Sequence, residues 1–163
     1  MDRICCDLRS TMSERDLVQV VFDDFMKSVG FSKKSESWYR YGHDVVTVVG
    51  LQRSQYGRQY YINLGLWLLA LGQANAPKDQ TCHVRSRLSR LVGAAEPELD
   101  RLLDLEGPLL PDERRDALRE FLSTHLTPIL DAAVSVEALR EPEGQRLVRA
   151  SLVSGPARSL IAA

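Results

Sequence analysis

Trp38-Tyr39-Arg40-Tyr41, Val45-Val46-Thr47-Val48-Val49-Gly50-Leu51-Gln52 and Tyr60-Tyr61-Ile62-Asn63-Leu64-Gly65-Leu66-Trp67-Leu68 are three strand-like runs crowded into one stretch, residues 38–71. β-Branched and aromatic residues dominate them, and the residues between them form turns. In the third run Tyr60, Ile62, Leu64, Leu66 and Leu68 fall on one face by period-two alternation, leaving Tyr61, Asn63, Gly65 and Trp67 on the other. The middle run is apolar on both faces, with Val45, Thr47, Val49 and Leu51 opposite Val46, Val48, Gly50 and Gln52. A strand apolar on both sides belongs in the middle of a sheet. The stretch therefore predicts an antiparallel meander with a covered face and a polar-aromatic face.

Working outward, Cys82-His83-Val84-Arg85-Ser86-Arg87-Leu88 alternates apolar with basic residues and predicts a fourth strand. The rival reading of that segment is a helix starting near Ser86, with Leu88 and Leu91 on one side. Residues 31–37 read as a short connection or edge strand, which Lys33, Lys34 and Glu36 protect from further pairing. Before it, Ser13 and Asp16 are spaced as a helix cap, and Leu17, Val18, Val21, Phe22, Phe25 and Val29 follow at helical spacing. Glu14, Gln19, Asp23 and Lys27 fall mostly on the solvent side, and Gly30 ends the helix.

Gly72 to Gln80 is the clearest loop, and the remainder reads as helical. Residues 96–105 suggest a short acidic helix. Pro111-Asp112-Glu113 opens a longer one with a core side of Leu118, Phe121, Leu122 and Leu126, which Pro128 must kink or restart. Pro142-Glu143 opens a last helix carrying Leu147, Val148 and Leu152, ended by Gly155-Pro156. The expected architecture is one α+β domain over residues 13–155. Its antiparallel sheet has about four strands, with an N-terminal helix and C-terminal helices packed mainly on one side. Residues 1–12 read as a flexible extension, with Met12 a candidate start, and residues 156–163 as a tail.

With 163 residues, the chain can bury about two-thirds of its unfolded surface without disulfides or structural metal. A net charge of -1 gives no whole-molecule attraction to nucleic acid or an anionic membrane. The longest apolar run, residues 64–71, is well short of the roughly 20 residues of a membrane span, and the amino terminus has no signal-peptide core. Cys5, Cys6 and Cys82 are an odd set without a spaced pair, which fits a reducing, cytoplasmic compartment and argues against a paired-thiolate zinc site.

Val29-Gly30-Phe31, Lys33-Lys34, Trp38-Tyr39-Arg40, Leu51-Gln52-Arg53-Ser54 with Gly57, Tyr60-Tyr61-Ile62-Asn63-Leu64-Gly65 and Cys82-His83-Val84-Arg85 together resemble the domain of unknown function 4304 family. The resemblance covers roughly residues 13–140, and the Tyr60 to Gly65 string is its most specific part. It implies a fold and a bacterial source, and no activity.

Gln52, Tyr61, Asn63, Trp67, His83 and Arg85 are the candidate binding residues. Aromatic rings give contact area, and amides and guanidinium groups give directional hydrogen bonds. The plainer alternative is that helices cover this face, with Gln52 and Asn63 satisfying buried backbone groups and Gly65 letting a neighbour approach closely. His43, beside Asp44, His83 and His125 each read more simply as surface or structural histidines. A Cys82–His83 pair on a strand would point to opposite faces and fails as a nucleophile and base. No catalytic residue, metal ligand or cofactor is assigned.

The first functional expectation is protein recognition without catalysis, as an adaptor or immunity-type partner. The second is a small-molecule or nucleotide pocket, with His83 as acid or base and Arg85 holding an anion. The third is single-stranded nucleic acid binding through the basic and aromatic residues of 33–61, which carry five basic against two acidic side chains. The stretch from Glu96 to Glu120, with nine acids against four arginines, would repel such a partner. Self-association is compatible with any of these.

Overall fold

The computed structural model of the protein describes residues 16–163. Met12, Ser13, Cys5, Cys6 and the 1–12 extension lie outside the described residues. Among the described residues six strands run β1 (Ser32–Lys34), β2 (Ser37–Tyr41), β3 (Val45–Arg53), β4 (Tyr60–Leu68), β5 (Val84–Arg87) and β6 (Leu152–Val153). They lie side by side in chain order, each antiparallel to its neighbours. The sequence pattern predicts about four strands; the two beyond that number are the edges. β1 is the short lysine-bearing segment before Trp38, and β6 has two residues, too few to show any alternation. β5 is shorter than residues 82–88, because Leu88 turns into a helix and buries its side chain in the core. Both readings of that segment are therefore half right.

β3 is central, as its doubly apolar pattern implies, and its register sets Val49 against Leu64 and Gln52 against Tyr61. One sheet face carries Val45, Val49, Leu51, Ile62, Leu64, Leu66 and Leu68 into the main core. Upon it lies α1 (Leu17–Ser28), burying Val18, Val21, Phe22 and Phe25 at the expected spacing. The cap is Asp16: its Oδ1 accepts from the Gln19 N–H, and the Gln19 side chain accepts from the Asp16 N–H. The other Asp16 oxygen accepts the Tyr60 hydroxyl at 2.5 Å, fastening the helix start to β4. Burial and this bond push the Tyr60 phenol well above its ordinary pKa.

Asp23 corrects the helical-wheel assignment. It is 2 % exposed rather than solvated, accepting from Trp38 Nε1 at 2.8 Å and from Lys27 Nζ at 2.9 Å. A buried indole N–H requires an acceptor, and Trp38 sits on the helix-facing side of β2.

The remaining helices pack around the same core. They are α2 (Leu88–Leu91), α3 (Glu96–Leu103), α4 (Pro111–Phe121), α5 (Thr127–Ala132), α6 (Val136–Arg140), α7 (Pro142–Arg149) and α8 (Gly155–Ala162). α3 stops at Leu103 because Asp104 bridges to Gln59. Its last carbonyls find an internal donor: buried Arg114 of α4 donates to Arg101 O at 3.0 Å and Leu102 O at 2.8 Å. Between α4 and α5 a π-helical turn, Leu122–Leu126, precedes Pro128. The wider turn fits a residue without an N–H and keeps Leu122, Leu126 and Leu130 in the core.

The end of the chain departs from the sequence reading. Leu152 is on β6 and 59 % exposed, not on the buried side of α7. Gly155-Pro156 opens α8 rather than closing α7, since the Ser154 hydroxyl accepts from the Ala157 N–H and proline suits the first turn. The last residues thus form a helix that buries Ala157 and Ile161.

Candidate functional site

Gln52 of β3, Tyr61, Asn63 and Trp67 of β4, and His83 and Arg85 at β5 all lie on the sheet face away from α1. Strand register explains this: Gln52 pairs with Tyr61, Asn63 with Arg87 and Gly65 with Arg85. Among the described residues no α-helix covers this face. Half of it is roofed by the chain's own segment 69–82, over a small cluster of Tyr39, Val46, Val48 and Cys82.

That roof seats on a glycine. A Cβ at Gly65 would lie 2.8 Å from Cys82 Sγ and 3.0 Å from Asp79 Cα, so β4 accepts the Asp79–Thr81 turn only because position 65 has no side chain. Trp67 Nε1 donates to Gly72 O at 2.9 Å, and the Tyr41 hydroxyl donates to Asn75 O at 2.5 Å. Trp67 therefore holds the loop. His83 packs on it with ring centroids 4.2 Å apart, and its Nδ1 accepts from the Leu68 N–H at 2.9 Å. The bond requires a neutral Nδ1, and burial lowers the His83 pKa in the same direction.

The other half is open. Gln52 Oε1 accepts from Asn63 Nδ2 at 3.0 Å and from Arg87 Nη2 at 3.4 Å, and the Arg87 guanidinium carbon lies 4.6 Å from the Tyr61 ring centre. Arg85 Nη1 donates to Gln80 O at 2.7 Å. Two depressions of about 520 Å³ flank the Asp79–Thr81 turn. One runs between the β1–β2 hairpin and the turn, past Ser37, Tyr39 and Lys78; the other runs between the turn and β5, past Arg85, Arg87 and Arg90. The candidate set thus splits into an open group, Gln52, Tyr61, Asn63 and Arg85, and a loop-holding pair, Trp67 and His83. Arg87, outside the six candidates, ties Gln52 to Tyr61. Its signal was the alternation that sets His83, Arg85 and Arg87 on one side.

The histidines do not assemble a reaction centre among the described residues. Cys82 ends the Asp79–Thr81 turn, so strand alternation does not govern its direction. Its separation from His83 comes instead from different partners: Cys82 Sγ bonds Lys78 O at 3.4 Å while His83 takes the Leu68 N–H. Burial and nearby Asp79 push the Cys82 thiol up to about 12, which leaves it protonated and unreactive. His125 lies against Phe121 at 4.3 Å, and the Asp44 carboxylate beside His43 accepts from the Val136 N–H at the start of α6. No three His, Cys, Asp or Glu side chains among the described residues are grouped to hold a metal ion, and no helix among them is long and apolar enough to cross a membrane.

The interleaved aromatic and basic residues are divided between the faces. Trp38 and Tyr60 are buried on the helix side, and Arg40 crosses there to donate to Leu130 O while lying 5.0 Å from the Phe31 ring. Tyr39 lies under the loop and Tyr61 on the open half, whereas Tyr56 stands exposed at the β3–β4 turn. They form no continuous stacking platform.

Fold and site together define an α+β domain built on a sequential antiparallel meander, with helices on one face and a polar, loop-buttressed surface on the other. The chain belongs to the family described as domain of unknown function (DUF4304), whose model matches residues 22–132. That span reaches from within α1 to the end of α5. No curated protein and no solved structure matches the chain.

Proposed function

We propose that this protein is a non-enzymatic recognition module of the bacterial cytoplasm, an adaptor or immunity-type partner, which engages another protein through the open half of its outer sheet face. The observation that carries the reading is the Gln52–Asn63–Arg87–Tyr61 network. Amide, guanidinium and aromatic groups hold one another on a face that the described α-helices leave uncovered. Groups ordered before contact lose little conformational entropy on binding, which favours specific recognition.

The test is affinity capture of the tagged protein from its host's lysate at moderate salt with nuclease treatment, run beside a Gln52→Ala, Tyr61→Ala variant. One protein enriched by the native chain and lost with the variant supports the reading; identical captures from both overturn it. Trp67→Ala is unsuitable as a control, because Trp67 holds the loop through Gly72.

A small-molecule reading has one observation in its favour, the depression of about 520 Å³ beside Tyr39 and Gly50, a volume within the range of ligand pockets. Native mass spectrometry of the purified chain, showing a retained mass lost with Gly50→Leu, would favour it over protein recognition. Gln52 and His83 line different depressions, so an acid or base at His83 would act apart from the amide network.

A further inference from the structure

We propose that the trough between β5 and the Asp79–Thr81 turn binds an extended acidic segment of a protein partner, with two side-chain carboxylates two residues apart seated on Arg85 and Arg87. The inference rests on the recognition reading above and names the chemistry of the partner. Arg85, Arg87 and Arg90 all line this trough.

Neutral groups hold the two strand arginines: Arg85 donates to the Gln80 carbonyl, and Arg87 donates to the Gln52 amide and lies over Tyr61. The ion pairs among the described residues are Lys27–Asp23 and Arg115–Asp112, so none of the three trough arginines is neutralised by a carboxylate. Asp79 and Glu96 lie on the lining as well, outside ion-pair distance. Each strand guanidinium thus keeps charge and most of its five donors for a ligand while its orientation is already fixed.

The spacing specifies the ligand's form. Arg85 and Arg87 are alternate residues of one strand, and a strand rises about 3.3 Å per residue, so their backbone positions are roughly 7 Å apart. Alternate side chains of an extended partner segment repeat at the same distance as the two arginine backbones, which lets each strand arginine take one carboxylate, the partner for which its planar fork is suited. Leu152, exposed on β6, gives the trough an apolar wall for the segment's backbone side.

Nucleic acid fits less well. Arg87 already covers one face of Tyr61, removing it as a base-stacking platform, and Glu96 at the trough's end opens the stretch with nine acids against four arginines. A continuous polyanion meets that repulsion along its length, whereas two carboxylates seated on Arg85 and Arg87 meet only the two acids of the lining, Asp79 and Glu96.

The full chain is titrated by calorimetry and amide NMR with a decapeptide alternating glutamate and threonine, its glutamine counterpart, and a ten-nucleotide oligothymidine. The glutamate peptide should bind saturably, shift the amides of residues 85–90, and weaken several-fold when salt rises from about 50 to about 300 mM. Arg85→Gln, Arg87→Gln should lower its affinity roughly tenfold or more, since charge-assisted hydrogen bonds are lost. Both side chains are exposed, and far-UV circular dichroism of the variant confirms that it folds. No saturable glutamate-peptide binding at millimolar concentration, equal affinity for the glutamine peptide, or equal affinity in the variant overturns the proposal. Tighter oligothymidine binding that competes for the same amides overturns it in favour of nucleic acid. A partner captured through Gln52 and Tyr61 with no response to the glutamate peptide removes the acidic specificity alone and leaves the recognition reading standing.

Discussion

Gly65→Ala adds one methyl group beneath the Asp79–Thr81 turn, and the structure sets its cost. The new Cβ would lie 2.8 Å from Cys82 Sγ and 3.0 Å from both Cys82 Cβ and Asp79 Cα, against the roughly 3.5–4.0 Å at which carbon atoms pack best. The turn must therefore lift by roughly 0.5–1 Å, because β4 is bonded on both sides, to β3 and β5, and is the less able to move. Overpacking of this kind costs about 1–3 kcal/mol. Urea unfolding of Gly65→Ala should show an earlier midpoint with an unchanged slope. In a Cys5→Ser, Cys6→Ser background a second readout follows, since Cys82 is buried with its thiol pushed up to about 12 and should resist a disulfide reagent in the native chain. A local destabilisation of about 1–2 kcal/mol raises the open population by about 5- to 30-fold, and thiol labelling should accelerate accordingly. Gly65→Ala, Cys82→Ala should recover part of the loss and not all, since Asp79 Cα and the Cβ at position 82 remain in the way. A midpoint shift worth less than about 0.5 kcal/mol together with unchanged labelling would refute the argument that position 65 is the seat of the loop.

Gly144→Ala should be the more damaging glycine change, about 3 kcal/mol or more by thermal or urea unfolding, because its Cβ would run into the Ala138 carbonyl and the Leu139 backbone. Asp16→Ala removes a capping-box acceptor and the acceptor of the Tyr60 hydroxyl, and should cost about 1–3 kcal/mol, with Tyr60→Phe in the double variant recovering the part due to the stranded hydroxyl and not the part due to the lost cap. Burial depresses the His83 pKa in the folded chain, so its contribution to stability is complete above the unfolded value near 6.5 and is lost as pH falls through the folded one. The melting temperature should fall on acidification below pH 6.5, and His83→Asn should flatten that slope by keeping an acceptor that does not titrate. Arg114→Leu should cost about 2–4 kcal/mol by the same unfolding assay, since it strands the carbonyls of Arg101 and Leu102 at the end of α3.

The helix side of the sheet was legible because β4 places an apolar side chain at every second position from Tyr60 to Leu68, and only one register buries them all. Asp23 was not, since its partner Trp38 lies 15 residues away on another element and no local period records a tertiary acceptor. α8 escaped notice because its fully buried residues, Ala157 and Ile161, are a small and a lone apolar side chain, and Gly-Pro reads equally as an end or a beginning. On the polar face, membership was readable from strand alternation, which named Gln52, Tyr61, Asn63, Trp67 and Arg85 and set Arg87 beside them. Occupancy was not: composition marks 72–80 as a loop without saying where it lies, and Gly65 was the one residue that hinted at its seat.

The order of the strands has a consequence during synthesis. Each of β2 to β5 pairs with the strand made just before it, so most of the sheet can close as it leaves the ribosome. α1 is already available to cover part of its apolar face, yet the helices that complete the cover arrive from residues 88–162, after the sheet's central strands are made. At about 5–20 residues per second, the interval from Leu68 to Ile161 is roughly 5–20 s. During that interval Leu64, Leu66 and Leu68 are paired in register but incompletely covered, and the nascent chain is most in need of a chaperone until the helices of residues 88–162 arrive.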